Sequence, residues 1–239
     1  MWNTHRRLHP VADSRILPLS CDMVVHGMKH IFNSSDPRDH AIRTVLCCAR
    51  SLLLRASECV ACRDRTHILK SNDVMFEVVW NGDTYRFPSH KASSFSSARV
   101  VNMDVNIEST KNDEFGFGYK HPFERAISDS AGYDFVQLMF DWAVRAQLKI
   151  DVPFFSYRGQ WVVSYDQFRK AHKSIAKDLG FDPDRFSGKS SRIGGTCALI
   201  YAGFPDSYVQ LAGRWKTLSF FLLRASVSRS ISTRLNSIV

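Results

Sequence analysis

The sequence predicts an α+β domain, and three observations carry that expectation. Helical apolar spacing dominates residues 37–62 and 133–180. A β-prone hairpin and an alternating strand lie between them, over residues 74–107. Helical spacing then returns after residue 187. Helices, a small antiparallel sheet, then helices again is the order that a segregated α+β fold requires.

Residues 1–16 are expected to form a leader, with one domain from 17 to 239. Ser20 is placed as an N-cap, followed by the weak stripe Val24, Met28, Ile31. Asn33-Ser34-Ser35-Asp36-Pro37 is a turn rich in capping residues. One long helix is expected from about Pro37 to about Cys62, with Ile42, Val45, Leu46, Ala49, Leu52 and Leu53 as a single buried stripe. Arg55 stands just past the deepest part of that run, with Glu58 one turn on.

The run Val74–Trp80, then Asn81-Gly82, then Asp83–Phe87 predicts a tight hairpin. A serine-rich loop follows over 89–97. Residues 99–107 alternate, placing Val101, Met103, Val105 and Ile107 on one face of a half-buried strand. The polar stretch 109–118, which contains Lys111, is a turn between strands. Residues 133–148 predict a helix with Phe135, Leu138, Met139, Trp142 and Ala146 on one face. Ser164 and Gln167 form a capping box before a helix that stops at Gly180.

A chain of 239 residues can bury a sizeable core. No apolar run approaches the about eighteen residues needed to span a bilayer. The N-terminus lacks the apolar centre of a signal peptide. The expected setting is intracellular: the nucleus in a eukaryote, the cytoplasm otherwise. Cys21, Cys47, Cys48, Cys59, Cys62 and Cys197 show no disulfide framework and are taken as reduced, mostly apolar positions. Cys59 and Cys62 form a lone CxxC without a second pair, so no metal and no cofactor are assigned.

The net charge of +9 calls for an acidic partner. From Arg185 onward, eight basic residues face the single acid Asp206. Charge concentrated in one segment is the footprint of phosphate-backbone binding, so double-stranded DNA is the expected partner rather than a membrane. Within this segment Arg192 offers a planar fork of donors for a phosphodiester. Gly194 and Gly195 clear side chains from a place where a nucleic-acid backbone could approach. Gly203 and Pro205 punctuate the run before Gly213-Arg214-Trp215-Lys216.

The run Arg192-Ile193-Gly194-Gly195-Thr196 followed by Gly213-Arg214-Trp215 resembles the C-terminal signature of tyrosine recombinases, the phage-integrase family. Leu53-Leu54-Arg55-Ala56-Ser57-Glu58 resembles that family's first arginine motif. Ser109-Thr110-Lys111-Asn112-Asp113 resembles its lysine-bearing β-hairpin. The resemblance implies a recombinase catalytic-domain fold without the separate N-terminal core-binding domain. It also implies a pocket in which Arg55, Lys111, Arg192, Trp215 and Lys189 serve phosphoryl transfer, and a DNA surface that adds Arg214 and Lys216.

Two family positions depart from the pattern. Lys189 stands where the motif has histidine, and Leu223 or Arg224 where it has the nucleophilic tyrosine. No nucleophile is therefore assigned. The expectation is a DNA-binding recombinase-like domain of a mobile element, a pseudoenzyme without strand cleavage in cis, able to assemble as a homo-oligomer on DNA. The alternatives are an active recombinase that takes its tyrosine from another protomer or from a missing C-terminus, and an unrelated α+β protein.

Overall fold

The computed structural model describes residues 16–62, 68–107, 118–124 and 133–215. Within them the fold is α+β, with a small antiparallel sheet beside a set of helices. Residues 1–15 of the expected leader, Lys111 with most of the turn expected at 109–118, Lys216 and the tyrosine position at Leu223 lie outside the described residues.

Helix α1 (Cys21–His30) starts where expected: the Ser20 hydroxyl accepts from the Met23 N–H at 3.2 Å. Helix α2 (Pro37–Ser51) starts on Asp36, whose carboxylate accepts from the N–H groups of Arg38 and Asp39. The single buried stripe expected for α2 is too narrow. His40, Ala41, Thr44, Cys47 and Cys48 are buried as well, because α2 touches α1 and four later helices at once. Burial pushes the Cys47 thiol up to about 12 and the Cys48 and Cys59 thiols well above their usual range. These thiols behave as small apolar side chains.

The long helix to Cys62 is a correction. It stops at Ser51, the chain turns through Leu52–Leu54 with Leu53 at φ 50°, and a single turn, α3 (Ala56–Cys59), follows. Leu52, Leu53 and Leu54 are all buried. The break frees the Leu52 and Leu53 carbonyls, which accept from the Arg214 guanidinium instead of from a continuing helix.

The hairpin forms as the Asn-Gly signal predicts. Strand β1 (Val74–Trp80) pairs with β2 (Asp83–Pro88), Trp80 opposite Asp83. Asn81 at φ 53° and Gly82 at φ 91° supply the positive φ values of a two-residue turn. A 3-10 stretch (Ser89–Phe95) replaces the expected loop. Strand β3 (Arg99–Ile107) has the expected bounds but a different face at its start. Asn102 opposes Glu77 while Val100 opposes Val78, so Val101 is the extra residue of a bulge and Val100 is buried in its place. Strand β4 (Tyr119–Glu124) completes the sheet in the order β2-β1-β3-β4, with Ile107 opposite Tyr119. The two ends of the Lys111 segment are thus held side by side.

Helix α4 (Phe135–Ala146) packs against β3 and α2. Its buried face is Val136, Met139, Phe140, Trp142, Ala143 and Ala146, turned from the expected one, with Leu138 half-buried. Trp142 donates its indole N–H to the Phe154 carbonyl at 2.9 Å. A short ribbon of β5 (Ser156–Tyr157) and β6 (Trp161–Val162) leads to α5 (Tyr165–Asp178), whose Ser164–Gln167 capping box is formed. Helix α6 (Ser190–Tyr201) and α7 (Asp206–Ala212) follow, separated by Gly203 at φ 80°.

Candidate phosphate site

The turn at Leu52–Leu54 sets Arg55 as the residue entering α3. Glu58, 2 % exposed, lies one turn ahead and folds back onto it. Its Oε2 accepts from the Arg55 backbone N–H at 2.8 Å, and its Oε1 from Arg55 Nη1 at 2.9 Å. The Arg55 side chain remains 23 % exposed, so its outer face is open to a ligand.

Arg192 stands on the first turn of α6. Its Nη2 donates to the Gly213 carbonyl, and its Cζ lies 4.5 Å from the centre of the Trp215 ring. Burial pushes its pKa down to about 9, and the positive charges of Arg55 and Arg214 push in the same direction against Glu58. Arg55 and Arg192, far apart in sequence, therefore feel one another in one electrostatic neighbourhood. Two guanidinium groups contact the Glu58 carboxylate, and the charge of Arg192 adds to the same field.

Arg214 does not point outward. Expected on a DNA surface, it is 3 % exposed and faces inward. Its Nη2 donates to Glu58 Oε2 at 2.8 Å and to the Leu53 carbonyl at 3.2 Å, and its Nη1 donates to the Leu52 carbonyl at 3.2 Å. Burial would raise the Glu58 carboxyl, but Arg214 and the Arg55 contacts hold it below the usual range. Glu58 is thus a charged hub shared by two arginines. The charge of Arg214, one of those in the basic C-terminal quarter, is compensated inside the protein.

The glycine pair also has a different role from the expected one. A Cβ at Gly194 would lie 1.9 Å from the Leu19 carbonyl oxygen, and one at Gly195 would lie 2.1 Å from that of Arg50. The chain's own backbone fills the space that was assigned to a nucleic acid. These glycines seat α6 against α2 and the entry to α1, and so fix where Arg192 stands.

Lys189 is exposed just before α6, beside the Arg192 turn. Ser191 receives a contact the sequence did not reveal. His172 Nε2 lies 2.8 Å from Ser191 Oγ, and its Nδ1 lies 2.7 Å from the Phe168 carbonyl. Burial pushes His172 down to about 4, so it stays neutral and ties α5 to α6. Its spacing four residues after Phe168 in the apolar stripe was the available signal. Tyr119 was also missed: its ring centre lies 5.9 Å from Arg214 Cζ, which brings one end of the Lys111 segment to the same cluster.

Among the described residues no group of histidines, cysteines and carboxylates is arranged to hold a metal ion, and no helix is long and apolar enough to cross a membrane. The groups on hand are the Arg55 and Arg192 guanidiniums, with an indole beside Arg192. No protein-family model matches the chain, and no curated protein matches it.

Proposed function

We propose that this chain is a DNA-binding domain of the tyrosine-recombinase type that grips a backbone phosphate and does not cleave the strand by itself. The observation that carries the reading is that Arg55 and Arg214 share Glu58 while Arg192, under the Trp215 ring, feels the charges of all three. In the family that the motifs resemble, two arginines hold the nonbridging oxygens of the scissile phosphate. A phosphodiester entering here meets two fork-shaped donors in a partly desolvated pocket, where charge-assisted hydrogen bonds are strongest. It also restores the charge balance that burial and like-charge repulsion disturb at Arg192.

Lys189 adds a further cation beside Arg192, and Lys111 belongs to the segment that begins and ends next to the cluster. Lys216 and the rest of the basic C-terminal residues add to the positive charge available to the duplex. Assembly of several copies on DNA accompanies this role in the family.

Duplex binding measured over a range of salt concentrations tests the proposal. Log K is expected to fall steeply and linearly with log salt as counterions are released. Arg192→Ala is expected to weaken binding by about 1–3 kcal/mol. A flat salt response, or an unchanged affinity in Arg192→Ala, refutes it.

A further inference from the structure

Gly213, Arg214 and Trp215 touch Arg192 and the turn that carries Arg55, the two half-buried arginines of the site. The Gly213 carbonyl accepts from Arg192, and the Trp215 ring covers the same guanidinium. Between them Arg214 takes a left-handed backbone conformation, φ 55°, and sends its side chain the other way. There it holds the carbonyls of Leu52 and Leu53 and one oxygen of Glu58. Those carbonyls belong to the turn that delivers Arg55. Glu58 is the carboxylate that Arg55 itself contacts.

We infer that Arg214 is a positioning residue: it fixes Arg55 relative to Arg192 and shares Glu58, which keeps Arg55 able to engage an anion. The inference rests on the phosphate-binding reading above. A side chain only 1 % exposed cannot meet a ligand, so Arg214 acts through its neighbours. With Arg214 on Oε2, the Arg55 guanidinium has Oε1. Without Arg214, Glu58 is paired by Arg55 alone, and that internal ion pair competes with any phosphate. The Leu52 and Leu53 carbonyls also lose their donors, and the turn with Leu53 at φ 50° loses its tie to the later segment. Lysine cannot substitute, because one ammonium does not span two carbonyls and a carboxylate as a planar fork does.

A double-mutant cycle tests this on the full chain: the unmutated protein, Arg55→Ala, Arg214→Lys and the double variant, each titrated with the same duplex at one salt concentration. Thermal unfolding identifies folded variants. Arg214→Lys is expected to lower affinity ~tenfold when Arg55 is present and less than about twofold when it is absent. Equal losses in both backgrounds, or no loss with Arg55 present, overturn the inference. If Arg214→Lys does not fold, Arg214→Gln takes its place in the cycle, since it leaves no buried cation unpaired. Failure of both to fold also overturns it, in favour of a purely structural Arg214. Absence of duplex binding by the unmutated protein overturns the functional reading and this inference together. Loss of affinity in Arg192→Ala alongside an additive cycle overturns only the inference.

Discussion

The Arg192 guanidinium carbon lies 4.5 Å from the centre of the Trp215 ring, and the same ring lies over the Cα of Gly213. A Cβ at Gly213 would fall 1.5 Å from Cζ3 of that ring. Gly213 has φ −83°, which any residue adopts, so space alone requires glycine there. The Trp215 position therefore depends on a missing methyl group two residues earlier.

Gly213→Ala is expected to expel the indole and to lose duplex affinity to the same extent as Trp215→Ala. The strain or displacement is expected to lower stability by about 1–3 kcal/mol. Chemical denaturation and duplex titration of the two variants check this. An alanine variant with full affinity would detach Trp215 from the phosphate site.

Gly194→Ala and Gly195→Ala are each expected to destabilise by more than about 2 kcal/mol, because the obstructing atoms are backbone carbonyl oxygens that cannot rotate away. Gly203→Ala is the control. Nothing lies within 4 Å of its Cβ position, so only its φ of 80° opposes the change, at about 1 kcal/mol. Urea midpoints compare the three. Equal losses would mean that packing against Leu19 and Arg50 is not what these glycines serve.

Local signals made much of the fold legible. The Asn81-Gly82 hairpin, the Ser20 and Ser164 caps and the bounds of β3 all follow from contacts within a few residues, which a sequence displays directly. What the sequence concealed depends on partners distant along the chain. The break at Leu53 goes with Arg214, whose side chain holds the Leu52 and Leu53 carbonyls, and the bulge at Val101 answers to β1. In the site, Arg55, Glu58, Arg192 and Trp215 were legible because they sit in motif-like runs. The inward turn of Arg214 was not, since its partners lie about 160 residues earlier. The glycine pair was legible as a close approach, but the approaching atoms belong to this chain.

Stability is expected to fall as pH drops from 6.5 toward 4. His172 has a native value of about 4 against 6.5 when free. In that window the unfolded chain takes up a proton that the buried ring refuses, so unfolding gains with acidity. The contribution is complete above pH 6.5 and is lost progressively toward the native value, at up to ~1.4 kcal/mol per pH unit. His40, also near 4 and stacked edge-on against Trp142, adds a similar slope. Denaturant titrations at pH 7, 6 and 5 measure the slope, and His172→Gln is expected to make it shallower. A slope unchanged by that substitution would show that His172 titrates alike in both states.

The chain is expected to form no covalent adduct with DNA. In a phosphoryl transfer of the recombinase kind, a phenol oxygen forms a bond to phosphorus while the bond to the 5′ oxygen breaks. In the family that the motifs resemble, the nucleophile stands eight or nine residues after the Trp215 position, which is Leu223 or Arg224 here. Neither of those residues carries the phenol oxygen that attacks phosphorus in that family. Proximity multiplies the rate of a competent nucleophile but cannot create one. Incubation with a nicked suicide duplex, followed by a denaturing gel, should leave the protein band unshifted. A shifted band would contradict the expectation. Tyr119, whose ring approaches Arg214, would then be the first residue to replace with phenylalanine. Leu223→Tyr is the complementary variant: if Arg55 and Arg192 grip the phosphate as proposed, a slow appearance of adduct is expected, limited by Lys189 in place of histidine as the proton carrier.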